Sequence, residues 1–185
     1  ASLGADRTIT LPDADVTLVS GTMATTNGIT EADQWRITTD FSGSVGPISA
    51  NWERVDSKGA GHLGTGMSVS SGYWTFPSTG FWLIHAYSNL YLSTGTSAYN
   101  GIAIKVTEDA AGGATYDTVV TAQGSFADGS AGNYCQVTGS VILDVTDTAN
   151  IKMYMATGFN NAAVVCKGYT EENVTGMNFV RLGDT

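Results

Sequence analysis

Gly72-Tyr73-Trp74-Thr75-Phe76-Pro77-Ser78-Thr79-Gly80-Phe81-Trp82-Leu83-Ile84 sets a short aromatic strand, a Pro/Gly turn and the start of the longest apolar strand in immediate succession. Thr75 and Phe76 suit a half-buried strand, Pro77 cannot donate to a central ladder, and Gly80 has access to backbone angles closed to other residues. Strand, stop and restart therefore follow from local chemistry. The alternation continues to Leu92, with Trp82, Ile84, Ala86, Ser88, Leu90 and Leu92 on one face and Phe81, Leu83, His85, Tyr87, Asn89 and Tyr91 on the other. The first face is aliphatic and suits a core. The second is aromatic with polar tips and suits contact between subunits, where rings give area and their polar atoms find partners.

Around this stretch the chain reads as one main domain, residues 34–185, behind an attachment segment and connector, residues 1–33. In that segment Arg7–Asp15 and Val16–Val19 are two short β-type runs around a Pro/Asp turn, too little to fold alone, and Thr22–Asp33 has no sustained apolar period. In the main domain, short alternating runs follow one another: Trp35–Phe41, Ile48–Val55, Met67–Phe76, Phe81–Leu92, Ile102–Val106, Thr115–Ala122, Val137–Val145, Ile151–Met155, a weaker Val164–Tyr169 and Met177–Leu182. Glycine-rich loops at Gly59–Gly66 and Gly124–Asn133 separate some of them. A chain of short strands without helical periodicity can cover its apolar faces only with another sheet, so the fold class is an all-β sandwich or barrel.

Composition removes several function classes. Net charge is −9 with only eight Lys and Arg, scattered along the chain, which disfavours a nucleic-acid partner. No run of 18 apolar residues occurs, so no membrane insertion through a helix is expected. Cys135 and Cys166 allow at most one disulfide, and buried thiols are the ordinary expectation for so low a cysteine content.

Nor do the residues assemble a catalytic constellation. Gly59-Ala60-Gly61-His62-Leu63-Gly64 satisfies the dinucleotide string G-x-G-x-x-G, but Thr65–Ser71 reads as loop and strand where that chemistry needs a helix N-terminus. His62 and His85, the two histidines, have no metal-ligand spacing, and neither a G-x-S-x-G elbow nor H-E-x-x-H is present. The chain is therefore expected not to be an enzyme, with no catalytic residues and no metal site. The acidic pairs Asp13/Asp15, Asp144/Asp147 and Glu171/Glu172 read as solvated loops; calcium is the one cofactor they could serve, and without a D-x-D-x-D-G loop none is assigned.

Aromatic residues are more informative. His85, Tyr87 and Tyr91 share the second face of the central strand, and Tyr154 projects opposite the inward Met153 and Met155, so neighbouring strands would merge them into one patch. These four are the candidate subunit interface. Tyr99 and Tyr134, near loops, are candidate ligand-binding residues whose rings suit stacking on sugars.

Gly72–Ile84 resembles the Gly, aromatic, Pro, Gly, aromatic pattern of the complement-one-q and tumour-necrosis-factor-like superfamily. Ser140–Val145 followed by Asn150–Met153 resembles its paired late strands, and Thr175–Val180 its closing strand, so the likeness runs from about Phe41 to Leu182. It implies a jelly-roll β-sandwich that assembles as a homotrimer with one sheet facing the three-fold axis, and some members bind calcium. No collagen repeat is present, so a collagen-linked function is not carried over. Ala5-Asp6-Arg7-Thr8-Ile9-Thr10-Leu11-Pro12-Asp13-Ala14 resembles a short motif of bacteriophage tail-fibre and other appendage proteins. Together these imply a non-enzymatic structural protein at the virion surface, a trimeric fibre tip or knob. Residues 1–33 would attach it to other virion proteins, and its loops would meet a host-surface glycan or protein. Multivalent presentation would then supply avidity. A capsid decoration protein is the alternative, and a secreted complement-like binding domain, which would need a secretory leader, a further one.

Overall fold

A computed structural model of the chain describes residues 28–127 and 132–185. The short runs between residues 7 and 19, the appendage-like motif and the Asp13/Asp15 pair lie outside the described residues. Among the described residues there are strands and no helix: β1 (Ala32–Ile37), β2 (Phe41–Ser42), β3 (Trp52–Arg54), β4 (Ser68–Ser70), β5 (Tyr73–Thr75), β6 (Gly80–Leu92), β7 (Ser97–Thr107), β8 (Asp117–Phe126), β9 (Asn133–Val145), β10 (Lys152–Phe159), β11 (Val165–Cys166) and β12 (Thr175–Gly183).

They form two antiparallel sheets, a jelly-roll sandwich of all-β class. In the first, β6 pairs along its whole length with β9 (Gly80↔Val145 to Leu92↔Asn133), and its other edge takes β12 and then β11. Beyond β12 follow β1 and β3, and β2 continues from β11. The second sheet runs β4-β5-β10-β7-β8. Trp82, Ile84, Ala86, Leu90 and Leu92 of β6, with Met177 and Phe179 of β12, face Trp74, Ile102, Ile104, Met153 and Met155 of the second sheet, all fully buried or nearly so. Trp74 is the centre of this core: Trp35 and Trp52 meet it edge-on with centroids 5.1 Å away, and Phe179 lies 5.0 Å away. Alternation of period two thus places one apolar set inward from each sheet.

Several expectations are refined. The Gly124–Asn133 stretch is not all loop, because β8 continues to Phe126 and β9 starts at Asn133. Gly124 stays in the strand because a Cβ there would overlap the Cys135 sulfur where the sheets approach, so close packing, not a turn, explains that glycine. β1 begins at Ala32, ahead of Gln34. Glu31 accepts from the Thr65 and Gly66 amides, and buried Asp33 accepts from the Trp35 indole (2.8 Å) and the Met67 amide (2.8 Å) while pairing with Arg54. These carboxylates tie the Gly59–Gly66 loop onto β1.

β1 starts beside the end of β12, with Ala32 opposite Val180 and Gly183 opposite Phe81. Both ends of the described domain therefore leave from one pole of the sandwich. The 93–96 connection, the 160–164 connection and the 38–51 excursion lie at the other.

Candidate functional site

The outward face of β6 carries Phe81, Leu83, His85, Tyr87, Asn89 and Tyr91 in one row, and the register fixes their neighbours. On β9, Ile142, Ser140, Thr138 and Tyr134 stand opposite Leu83, His85, Tyr87 and Tyr91; on β12, Asn178 and Gly176 stand opposite His85 and Tyr87. His85 is held from both ring nitrogens, by Ser140 Oγ at 2.7 Å and Thr138 Oγ1 at 3.2 Å, and stacks on Tyr87 with centroids 6.0 Å apart. Thr138 in turn donates to the Ala86 carbonyl at 3.2 Å. Tyr87 lies across Gly176, where a Cβ would overlap the phenol, so a glycine in β12 makes its seat.

This face is left polar and unsatisfied at its centre and apolar around it. The Tyr87 hydroxyl, Asn89 Oδ1 and Asn178 Oδ1 are buried without a hydrogen-bond partner, and the Tyr87 phenol is pushed up to about 12 by that burial, with Arg36 pulling the other way. Nearby, Ile142 is 58% exposed, and Phe81, Leu63 and Leu182 also reach solvent. Buried polar atoms without partners are uncommon in a finished structure, and exposed apolar side chains beside them mark a contact surface.

Tyr154 does not join this patch. Its strand, β10, lies in the opposite sheet, and Tyr154 faces outward there against Tyr73 (5.6 Å) and Tyr116 (4.9 Å). Alternation along Ile151–Met155 correctly put Tyr154 opposite Met153 and Met155, but strand order, which no local pattern carries, sent β10 to the other layer. In that trio burial and the neighbouring phenols push Tyr116 up, and burial and Tyr73 push Tyr154 up.

Tyr99 and Tyr134 both sit at the pole opposite the ends of the domain, 49% and 64% exposed. The Tyr99 carbonyl accepts from Asn160, and Tyr134 packs on Tyr91 at 4.9 Å. Tyr169 is exposed at the same pole beside the Lys167–Asp40 ion pair; its weak strand pattern carries no sign of the excursion from β1 that meets it. Lys167 also lies 6.0 Å from the Tyr91 ring, and hydrogen bonding by Asp40 holds its ammonium pKa up.

Cys135 and Cys166 are free thiols. They flank Leu90 from opposite edges of β6, which sets their Cα atoms about 10 Å apart, beyond the roughly 7 Å a disulfide spans. Gly59–Gly64 is loop, without the helix a phosphate would require. Among the described residues no group of three or more His, Cys, Asp or Glu converges, and no helix is long and apolar enough to cross a membrane. Asp147 instead caps its own turn by accepting from the Ala149 amide, which holds its carboxyl low.

Solved structures with this architecture decide the type of jelly roll. Eiger TNF from S. frugiperda superposes with a TM-score of 0.60 at 14% identity, over 83% of this chain and 93% of that one. The fold is the tumour-necrosis-factor-like jelly roll. Murine APRIL at pH 5.0 gives 0.56 at 14% identity, and at pH 8.5 gives 0.54 at 15%, each over 82% of this chain and 98% of the other. No protein-family model matches the sequence, and no curated protein matches it. At these identities the likeness is one of fold.

Proposed function

We propose that this chain is a non-enzymatic display module that closes into a homotrimer on the outward face of its first sheet. The observation that carries this is the row of half-buried His85, Tyr87 and Tyr91 on that face, beside exposed Phe81 and Ile142. A second copy seated there removes the aromatic row and the apolar rim from water, and closed cyclic assembly leaves no open surface for further growth. His85, Tyr87 and Tyr91 are the interface residues of this proposal, joined by Asn89 and Asn178. Tyr154 belongs to the other sheet.

The module presents the loops at the pole away from the ends of the domain, three sets on one axis, to a host-surface glycan or protein. We place it at a bacteriophage virion surface as a fibre tip or knob, on the likeness of Ala5–Ala14 to appendage proteins. The segment ahead of β1 is proposed to make the attachment, since β1 begins at the opposite pole, a geometry that also serves a capsid decoration knob. Light scattering tests the assembly: a trimer mass is expected, and a monomer at micromolar concentration overturns it. Immuno-electron microscopy of particles tests the placement, and label absent from virions overturns it.

A further inference from the structure

We infer that the cleft between the β1–β2 connection and the residues after β11 is a binding site for a neutral hexopyranose unit. Its walls are Thr38, Thr39 and Asp40 on one side and Lys167, Tyr169 and Thr170 on the other, around a volume of about 370 Å³, within the range of about 300–1,000 Å³ usual for small-ligand sites. The two segments are locked together at their base. Asp40 Oδ1 accepts from the Gly168 amide at 2.8 Å, the Tyr169 amide donates to the Ile37 carbonyl at 2.8 Å, and a Cβ on Gly168 would overlap the Thr39 backbone. The cleft is thus fixed before any ligand arrives, which lowers the ordering cost of binding.

Its chemistry fits a sugar and argues against an anion. The Asp40 carboxylate and the Lys167 ammonium pair with each other, so the cleft presents a strong acceptor and a strong donor with no net charge, inside a chain of net charge −9. Adjacent hydroxyls of a pyranose can bridge such a pair, donating to Asp40 and accepting from Lys167. Thr39 and Thr170 add exposed hydroxyls at the rim, and the Tyr169 ring, 54% exposed, offers a flat apolar wall for the C–H face of the sugar.

This inference takes its location from the display proposal, but the test separates them. Saturation-transfer NMR on the full chain uses methyl α-glucopyranoside, methyl α-galactopyranoside and methyl α-mannopyranoside at about 20 mM, with glucuronate for comparison, because a single sugar binds on the order of millimolar. Saturation of at least one neutral glycoside is expected. Its affinity should fall about tenfold in Tyr169→Ala, whose side chain is exposed, and stay unchanged in Val119→Ala, an exposed position on β8 of the other sheet. No saturation by any glycoside, equal affinity in Tyr169→Ala, or stronger binding of glucuronate overturns the proposal. A monomer mass with sugar binding intact would refute only the trimer, and a trimer without saturation would refute only this site.

Discussion

Replacing Tyr87 with Phe removes one oxygen and nothing else, and the sign of the effect reports whether that oxygen has a partner in solution. Within one chain the hydroxyl is buried and unpartnered. An unsatisfied buried polar group costs about 1–3 kcal/mol, so in a monomer Tyr87→Phe should be neutral or stabilising. In a homotrimer where docking shifts the ring so that the hydroxyl reaches the neighbouring subunit, each subunit of Tyr87→Phe loses a hydrogen bond worth about 0.5–1.5 kcal/mol. Three equivalent sites then weaken assembly by roughly 1.5–4.5 kcal/mol, or ~10- to 2,000-fold in the trimer dissociation constant. Sedimentation equilibrium across a dilution series measures this directly. Tyr87→Asp sharpens the contrast, since each of three carboxylates would sit unpaired at the contact at a cost of several kcal/mol, and only monomer should remain at micromolar concentration. A trimer unchanged or tightened by Tyr87→Phe would leave the hydroxyl within its own subunit, and one that survives Tyr87→Asp would refute the assignment of this face.

The remaining predictions concern the same framework. The Tyr87 pKa is raised from 10.0 in the unfolded reference to about 12, so its contribution is fully present below about pH 10 and lost as pH rises through 12; thermal melts should fall over that window, less steeply in Tyr87→Phe. Burial pushes the Cys166 thiol up to about 11, and Cys135 is less buried, so iodoacetamide at pH 8 should label Cys135 first; intact mass without reductant should show two thiols, and an internal disulfide would contradict the register. Trp74→Ala, which empties the site shared by Trp35, Trp52 and Phe179, should cost about 3–5 kcal/mol in urea unfolding, and a loss under 1 would displace Trp74 from the centre of the core. Gly168→Ala forces a methyl group against the Thr39 backbone, so it should destabilise by roughly 1–3 kcal/mol and reduce glycoside saturation together.

Much of the site was legible because period-two alternation is a local property. Trp82 to Leu92 and Phe81 to Tyr91 separated into core and outward faces from the sequence alone, and the buried and half-buried alternation of β6 follows that division residue by residue. Tyr154 shows the limit. Its face within the strand was right, but its layer was not, because the order of strands in a sheet is set by long-range pairing that leaves no mark on a five-residue run. The Asp40, Lys167 and Tyr169 cleft was invisible for the same reason: 127 residues separate its ion pair, and Asp40 falls inside the alternating run Trp35–Phe41, which reads as one strand although β1 ends at Ile37.

Alternation, turn residues and the absence of helical periodicity were enough for the all-β class and the inward and outward faces. Each depends on neighbours within a few residues, where backbone sterics and hydrophobic period act directly. The three-dimensional arrangement added which faces share a sheet, that Cys135 and Cys166 stand on opposite edges of β6, that Tyr99, Tyr134 and Tyr169 gather at one pole, and that Tyr87, Asn89 and Asn178 are buried without partners. Those facts depend on pairing between segments distant in the chain, and hydrogen-bond satisfaction can be judged only once every neighbour of an atom is in place.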